Sequence, residues 1–499
     1  MEWKKITNGA LLGALTGIPV ILLASIAERV AGLPFVPFVL FDFMVRVLPG
    51  FILIPGIHIL TVILLALHVA SLSAAAKLAE QATALVLFLA MGGFAGSVLG
   101  GFAILRRGRH LPLTGALLGL TGMAGIAIIR TLPGFPPADA SSLLWTGFLL
   151  IVWGIAIGWL LRVIYSPKPE VRPIRGIRLQ TTRMAGILAV LLLVAGAGLV
   201  ILKSARGIPG STAPPIPPQP GVTAGPAASP SAETLARRIE PAPGARPEIT
   251  AVKDFYRIDI DTDPPRVNAS KWRLEINGLV ARPMKLSLDD IRARAPVSQY
   301  ATMCCISNPV GGPLISTGLW TGVTLISILK EAGVKPPGTR VTVESADGYY
   351  ETVSPGDMTD PRTLLTYALN GEPLTPEQGF PLRLYIPNRY GMKSPKWITR
   401  ITVIQEDGRG YWVDRGWDAA AVVQTMSVID VVAVDHPDPL TGTVPMGGIA
   451  FAGDRGVSRV EVQIDEGPWV RAALRSPPLS PLAWMQWRYD WPSVPGKHK

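Results

Sequence analysis

Cysteine is almost absent from this chain of 499 residues, which contains only Cys304 and Cys305. Because neighbouring cysteines can join only in a strained disulfide, the sequence predicts no disulfide framework. It has no Cys-x-x-Cys-His motif for covalent haem and no Cys-x-x-Cys pair for zinc, and its thiols are too few for an iron–sulfur cluster. We therefore expect neither haem nor an iron–sulfur cluster.

Charged residues are also scarce, at 17% of the chain against 48% hydrophobic residues, and the mean hydropathy is +0.35. This balance predicts that part of the chain lies in a membrane. The net charge of +11 comes entirely from residues 1–206, which carry 17 basic and 6 acidic residues, whereas residues 207–499 carry 30 of each. Basic loops beside membrane spans have this pattern, so the net charge does not indicate a nucleic-acid partner.

Six long apolar runs lie in residues 1–206, and each is close to the ~20 residues that a helix needs to cross a bilayer. A shorter apolar stretch, Leu33 to Leu48, contains Asp42, Arg46 and two prolines. It leaves two interpretations open, an interfacial segment or a seventh, poor span. The sequence thus predicts an all-α transmembrane domain over residues 1–206, in contact with membrane lipid. The six runs cover residues 8–27, 51–74, 82–105, 112–130, 142–164 and 184–203.

Basic residues in the loops predict which side of the membrane each loop faces. Arg106, Arg107 and Arg109 lie in one loop, and the basic run from Arg162 to Arg183 lies in another, with two spans between them. Because Lys and Arg stay on the cytoplasmic side, the chain after residue 203 is expected outside the cytoplasm of a multi-pass membrane protein. No Arg-Arg pair of a twin-arginine signal directly precedes residue 184, so the inverted topology stays open.

Residues 207–248 hold eleven prolines and few large apolar side chains, which predicts an extended, disordered linker. From residue 249 to about 423, short alternating apolar runs and turn signals predict a mixed α+β domain. Residues 424–499 contain the alternating run Ser458 to Ile464 and tryptophans at 484, 487 and 491, which predict a small antiparallel sandwich. In the α+β domain we expect strands at 272–276, 340–343, 382–386 and 398–404 and helices at 286–293 and 325–332.

The stretch Thr302-Met-Cys-Cys-Ile-Ser-Asn308 is typical of a reactive site. A thiolate is a soft ligand for a transition metal, and on a strand the side chains of Cys304 and Cys305 point to opposite faces. One of the two is then an ordinary buried side chain. Downstream, Arg383 and the run Pro387 to Trp397 gather cations and a serine around a glycine turn, a combination that suits a phosphate group.

Together these runs resemble the sulfite oxidase family of molybdopterin enzymes, which has a Cys-x-x-Asn metal-ligand motif and a later phosphate-binding run that ends in Lys-Trp. The resemblance extends from Phe255-Tyr-Arg257 through Asp347-Gly-Tyr349 to Trp397 and covers most of residues 250–490. It implies a molybdenum–molybdopterin cofactor in the α+β domain. It also implies that the last segment is an immunoglobulin-like dimerisation domain, and with it a homodimer. The chain stops before the last strands of such a sandwich, so we expect this domain to be shortened.

The resemblance assigns roles to individual side chains. Cys305 is the implied molybdenum ligand because Asn308 follows it at the spacing of the motif, and Asn308 itself would lie against the cofactor. The remaining cofactor contacts would come from Tyr256 and Arg257 where the pterin enters, and from Arg383, Lys393, Ser394 and Lys396 at its phosphate.

Two departures from the family concern the substrate. Basic residues follow the Cys-x-x-Asn motif in sulfite oxidases, whereas Pro309 and Val310 follow it here. Trp417 takes the place of a tyrosine on the substrate side, and Arg389 and Arg415 are the cations left to bind an oxyanion. These changes argue against sulfite as the substrate.

The sequence therefore predicts a membrane-anchored molybdopterin oxidoreductase that catalyses two-electron oxygen-atom transfer on a small oxyanion or an S- or N-oxide. The chain has no cytochrome b5-like haem domain, so we expect a separate redox partner, either a cytochrome or a quinone. The alternative is a non-catalytic membrane protein whose outer domain keeps the fold for binding or assembly.

Overall fold

The N-terminal residues form helices, as their apolar runs predict. The structure is a computed structural model that describes residues 3–31, 33–47, 72–105, 110–129, 140–165, 223–224, 231 and 238–499. These residues fall into two units, one of N-terminal helices and one built mainly from residues 213–260 and 264–499. The helices of the first unit are α1 (Trp3–Ala31), α2 (Val36–Val47), α3 (Leu72–Leu105), α4 (Leu111–Ile129) and α5 (Ala140–Tyr165).

Four of these helices, α1, α3, α4 and α5, are long and apolar enough to cross a membrane, judged by length and composition. They confirm the helices predicted at 8–27, 82–105, 112–130 and 142–164 and support association with a membrane. Helix α2 has 12 residues. Residues 48–71 lie outside the described part of the chain, so the choice between an interfacial segment and a seventh span stays open.

Several parts of the predicted membrane region lie outside the described residues. They are the runs at 51–71 and 184–203 and the basic loops at 106–109 and 166–183. The number of further spans and the side of the membrane that each loop faces therefore stay predictions.

Glycines bring the backbones of α1 and α3 into direct contact. A Cβ atom built on Gly96 would lie 1.9 Å from the carbonyl oxygen of Gly9. Helices α4 and α5 meet in the same way, because a Cβ on Gly115 would lie 1.9 Å from the carbonyl oxygen of Gly154. In lipid, where water does not drive apolar side chains together, such small residues let helices associate through close van der Waals contact.

We expect Gly96→Ala to loosen α1 from α3, because no Cβ fits against the Gly9 backbone. Overpacking of this kind costs about 1–3 kcal/mol, so the purified protein in detergent should melt at a clearly lower temperature. Gly101→Ala in the same helix is the matched control, since nothing lies within 4 Å of a Cβ at that position. Equal melting temperatures for the two variants would contradict the close helix contact.

The second unit is rich in β-strands, in agreement with its alternating apolar runs. Its helices are α6 (Leu288–Arg292), α7 (Leu325–Ala332) and α8 (Pro355–Thr359), and single 3-10 turns lie at Val252–Asp254, Pro376–Gln378, Gly391–Lys393 and Val413–Arg415. Its strands up to residue 404 are β1 (Thr223–Ala224), β2 (Leu274–Gly278), β3 (Met284–Leu286), β4 (Val297–Cys304), β5 (Ile315–Thr324), β6 (Arg340–Ser345), β7 (Tyr350–Val353), β8 (Leu364–Leu369), β9 (Glu372–Pro373), β10 (Arg383–Tyr385) and β11 (Ile398–Ile404).

These strands form two mixed sheets. The first has the order β1-β4-β5-β8-β10, with β9 paired to β8, and the second has the order β3-β2-β11-β6-β7. The pairs β1 with β4 and β2 with β11 are parallel. The predicted elements at 325–332 and 398–404 have the same bounds in the structure, and the other predicted elements of this domain overlap their structural counterparts.

One buried cluster joins both sheets to α6 and α7. In α7, Leu325, Ile328 and Leu329 recur at helical spacing and are buried, which is why this amphipathic segment is a helix. The Thr324 side chain accepts a hydrogen bond from the Ser327 amide at its start. The same cluster includes residues on both sides of the turn between β10 and β11, and it thereby holds the predicted phosphate-binding run in place.

The C-terminal residues form a β-rich region. Strands β12 (Met426–Val432), β13 (Val444–Phe451), β16 (Ala473–Leu474) and β17 (Met485–Trp491) make an antiparallel sheet in the order β12-β13-β17-β16. The predicted strand at 458–464 is shorter in the structure, where β14 (Glu461–Val462) pairs with β15 (Val470–Arg471). The immunoglobulin-like topology, the dimer and the domain boundaries stay predictions.

The predicted linker is anchored at its C-terminal end. Arg238 forms a bidentate ion pair with Glu248 at 2.5 and 2.7 Å, and Arg246 donates to Asp430 of β12 at 2.8 Å. The prediction of disorder is therefore wrong for residues 238–248, because composition does not reveal the carboxylates that hold these arginines. Most of residues 207–237 lie outside the described part of the chain.

Candidate active site

The two cysteines lie where β4 ends, and they face different surroundings. Cys304, the last residue of the strand, is fully buried and packs among apolar side chains that include Ile315 and Val423. Cys305 lines a cleft, and its Sγ lies 3.2 Å from the hydroxyl oxygen of Ser307. Burial raises the pKa of both thiols. The structure thus presents the Cys305 thiol, rather than that of Cys304, to a ligand.

The cleft contains about 750 Å³ of empty space, part of it open to solvent. One group of lining residues is cationic or polar and comes from β10 and the turn after it, namely Arg383, Ser394 and Lys396. A second group is apolar and aromatic, and it includes Ile306, Trp412 and Trp417.

Arg383 is buried in β10, with 5% of its surface exposed. Its guanidinium donates to the side-chain oxygen of Gln378 at 3.3 Å and lies 5.3 Å from the centre of the Trp320 ring. Its Nε has no hydrogen-bond partner. Burial lowers the pKa of Arg383 to about 10. A buried guanidinium with a spare donor is suited to an anion that enters the cleft.

Lys396 lies two residues before β11, at the other side of the turn. Its ammonium donates to the carboxylate of Asp259 and to the carbonyl oxygen of Glu377, the latter at 2.9 Å. Burial lowers the pKa of Lys396 to about 8, although the negative charge of Asp259 opposes this shift. A second negative charge nearby would therefore raise the pKa of the Lys396 amine, because an anion favours its protonated form.

The turn between these two cations brings the backbone close to Tyr256. A Cβ on Gly391 would lie 2.3 Å from the Tyr256 hydroxyl, so only glycine permits this approach. Ser394 lines the cleft, and its Oγ accepts a weak hydrogen bond from the Ile386 amide at 3.3 Å. Burial raises the pKa of Tyr256 well above its usual value, so the hydroxyl stays protonated.

Three predicted cofactor residues do not line the cleft. Lys393 forms a buried ion pair with Glu351 at 2.7 Å, so its contact with a phosphate stays a prediction. Arg257 pairs with Asp259 instead of lining the cleft. The Asn308 side chain accepts a hydrogen bond from the Leu314 amide at 2.8 Å and so closes the loop that follows Cys305.

The two arginines predicted to bind an oxyanion are also directed elsewhere. Arg389 Nε donates to the carboxylate oxygens of Asp357, both at 3.1 Å. The Arg415 guanidinium lies 3.6 Å from the centre of the Tyr411 ring and donates to the Tyr411 carbonyl oxygen at 2.8 Å. Neither arginine lines the cleft, because a nearby carboxylate or aromatic ring already satisfies it. Trp417, in contrast, lines the cleft, and its place on the substrate side stays a prediction.

Sequence reasoning missed several residues of the cleft. Asp259 was not assigned, although it follows Arg257 by two positions and pairs with both Arg257 and Lys396. Asp347 and Trp412 line the cleft as well. The period-two spacing of Arg257 and Asp259 is the signal that could have indicated a shared face.

The residues of the cleft fit the molybdopterin group that the resemblance implies. Cys305 offers a thiol, and Arg383, Ser394 and Lys396 offer cations and a hydroxyl to the same cleft. The buried Nε of Arg383 and the buried Nε1 of Trp417 have no hydrogen-bond partners among the described residues. Buried donors without acceptors are uncommon in native proteins, and a bound ligand would supply the acceptors.

Comparisons with known proteins agree with this chemistry. The family described as "Oxidoreductase molybdopterin binding domain" matches residues 261–412. The "Uncharacterized oxidoreductase YuiH" of Bacillus subtilis is 36% identical over 148 residues, which are 30% of this chain and 73% of that protein. The chain belongs to this molybdopterin-binding oxidoreductase family.

Larger members of the molybdopterin-binding oxidoreductase family match over a similar region. The sulfite oxidase of Gallus gallus is 29% identical over 279 residues, which cover 46% of this chain and 61% of that protein. A nitrate reductase [NADPH] of Fusarium oxysporum is 29% identical over 260 residues, which cover 41% of this chain and 28% of that protein. The chain thus spans less than two thirds of the length of these two relatives.

Lys393→Met should destabilise the domain, because it leaves the Glu351 carboxylate buried without its cation. Removal of one partner of a buried ion pair costs about 3–5 kcal/mol. We expect the melting temperature to fall strongly while the pterin content per folded molecule stays at the wild-type level. The matched variant Lys396→Met should instead lose pterin.

The double variant Lys393→Met with Glu351→Leu is the control for the ion pair. It removes both charges and should recover part of the lost stability. If Lys393→Met melted like the wild type and lost its pterin, the ion-pair assignment would be wrong and Lys393 would be a phosphate ligand.

Proposed function

We propose that this protein is a membrane-anchored molybdenum–molybdopterin oxidoreductase that catalyses two-electron oxygen-atom transfer. The observation that carries the proposal is that one cleft joins the Cys305 thiol to the cations of Arg383 and Lys396. A thiolate suits a soft transition metal, and clustered cations suit a phosphate. Family membership and the four apolar helices support the same conclusion.

Each residue of the cleft has a role in this proposal. Cys305 would hold the molybdenum, and Arg383, Ser394 and Lys396 would hold the pterin phosphate. When bound, the molybdenum centre supplies reversible oxygen-atom transfer with two electrons, and the protein positions it. Tyr256 and the 391–397 turn would shield the bound pterin from water, and Trp412 and Trp417 would form a wall of the cleft that faces the substrate.

The reaction takes either a small oxyanion or an S- or N-oxide as its substrate class. Relatives are named for sulfite oxidation and for nitrate reduction, so the family name alone does not set the direction of electron flow. A separate cytochrome or quinone would exchange electrons with the site. The helices would anchor the protein in the cell membrane with its catalytic domain on the extracytoplasmic side, and the C-terminal region would form a shortened immunoglobulin-like dimerisation domain.

Cys305→Ser should abolish molybdenum binding, because an alcohol is a poor replacement for a soft thiolate ligand. Molybdenum measured by plasma mass spectrometry should fall at least about tenfold per protein molecule, in line with the loss expected on removing a metal ligand. Cys304→Ala is the matched control and should retain the metal, since Cys304 packs among apolar side chains away from the cleft.

A pterin assay by fluorescence after oxidative release completes this test. Full molybdenum in Cys305→Ser would contradict the ligand assignment. Absence of both molybdenum and pterin from the wild-type protein would favour the non-catalytic alternative, in which the domain serves binding or assembly.

A further inference from the structure

An acidic side chain lies in the lining of the cleft together with its cations. Asp259 lines the cleft, and none of its side-chain surface is exposed. A carboxylate repels a phosphate, so a bystander at this place would weaken the binding of an anionic cofactor. Buried carboxylates are normally paired, and Asp259 is paired with two cations, Arg257 and Lys396. Its role is therefore to be sought in what it does to these cations.

Asp259 joins the two cations through different oxygen atoms. Arg257 Nε donates to one carboxylate oxygen at 2.5 Å, and Lys396 Nζ donates to the other. Arg257 does not line the cleft, whereas Asp259 and Lys396 do. Arg257 thus holds the carboxylate in place, and the carboxylate in turn holds a cation that a ligand in the cleft can reach.

The position of the Lys396 ammonium is fixed by further contacts. Its Nζ also donates to the carbonyl oxygen of Glu377 at 2.9 Å. A Cβ on Gly379 would lie 2.9 Å from the Lys396 Cβ, and Gly379 has a φ of +105°, so only glycine suits this place. An ammonium has three donors, and these two acceptors leave one donor for a ligand.

The charged groups around Lys396 act on its amine in opposite directions. Burial lowers the pKa of Lys396 most, Asp259 raises it, and the guanidinium groups of Arg383 and Arg257 lower it, with a resulting pKa of about 8. The amine is then largely protonated at neutral pH. Without the carboxylate the pKa would fall further, because burial and the two guanidinium groups would act unopposed.

We propose that Asp259 is a positioning residue for the cofactor phosphate. Held by Arg257, its carboxylate fixes the Lys396 ammonium in the lining of the cleft and keeps it charged, so that the phosphate meets a cation and not a neutral amine. This inference rests on the proposed function. The gain outweighs the repulsion between the two anions, because the hydrogen bond to the phosphate is charge-assisted, whereas the carboxylate is already balanced by two cations.

The test follows the retention of pterin by the full-length protein purified with its cofactor. Wild-type protein and Asp259→Asn are dialysed at pH 6 and at pH 8, and the remaining pterin is measured by fluorescence after oxidative release. The charge of the amine is present below its pKa and is lost as the pH rises through it, and in the variant this loss comes at lower pH. At pH 8 the variant should lose pterin about 10-fold faster than the wild type, as expected for one charge-assisted hydrogen bond. At pH 6 the two rates should agree within about twofold.

Three further variants identify the cause. Asp259→Glu restores the charge and should recover retention at pH 8 at least in part. Lys396→Met should lose pterin equally fast at both pH values, because no amine is left to titrate. Asp360→Asn is the matched control and should behave like the wild type, since Asp360 pairs with Arg362 and does not line the cleft.

The outcomes separate this inference from the proposed function. Equal effects of Asp259→Asn at pH 6 and pH 8, no effect at either, or tighter retention at pH 8 would overturn the role of Asp259. If the single variant is too unstable to purify, Asp259→Asn combined with Arg257→Gln removes the unpaired guanidinium as well and should show the same difference between the two pH values. Wild-type protein without pterin would overturn the proposed function, and this inference with it.

Discussion

The site depends on two buried cations that the domain holds beside an open cleft. Arg383 forms no ion pair among the described residues and has a donor to spare, and burial lowers the pKa of Lys396 to about 8 in spite of Asp259. Charge buried in this way is costly unless an anion joins it. The rigid cluster around β10 and β11 prevents these side chains from turning out to water. A phosphate-bearing cofactor bound beside these two cations would supply the negative charge that they lack.

Most of the remaining cations predicted at the site pair with carboxylates of the protein. Lys393 is satisfied by Glu351, and Arg389 by Asp357. Because these cations are paired, the cleft lies near several positive charges although the formal charges of its own lining residues cancel.

Local patterns predicted the elements that depend on local physics. Helix α7 and strand β11 follow directly from their apolar spacing, and strand alternation predicted that Cys304 and Cys305 face different surroundings. The errors concern contacts between distant segments. Lys393 and Glu351 are 42 residues apart, so no pattern near Lys393 shows that its charge is already paired. The same limit hid the contacts between glycines of different helices and the anchoring of Arg238 by Glu248.

The most direct test of the account is X-ray absorption at the molybdenum edge of the purified, full-length protein. Wild-type protein should show a sulfur ligand from the protein in addition to the sulfurs of the pterin, and Cys305→Ser should lack that ligand in whatever metal it retains. An unchanged sulfur shell in Cys305→Ser, or a molybdenum centre without a protein sulfur in the wild type, would contradict the account.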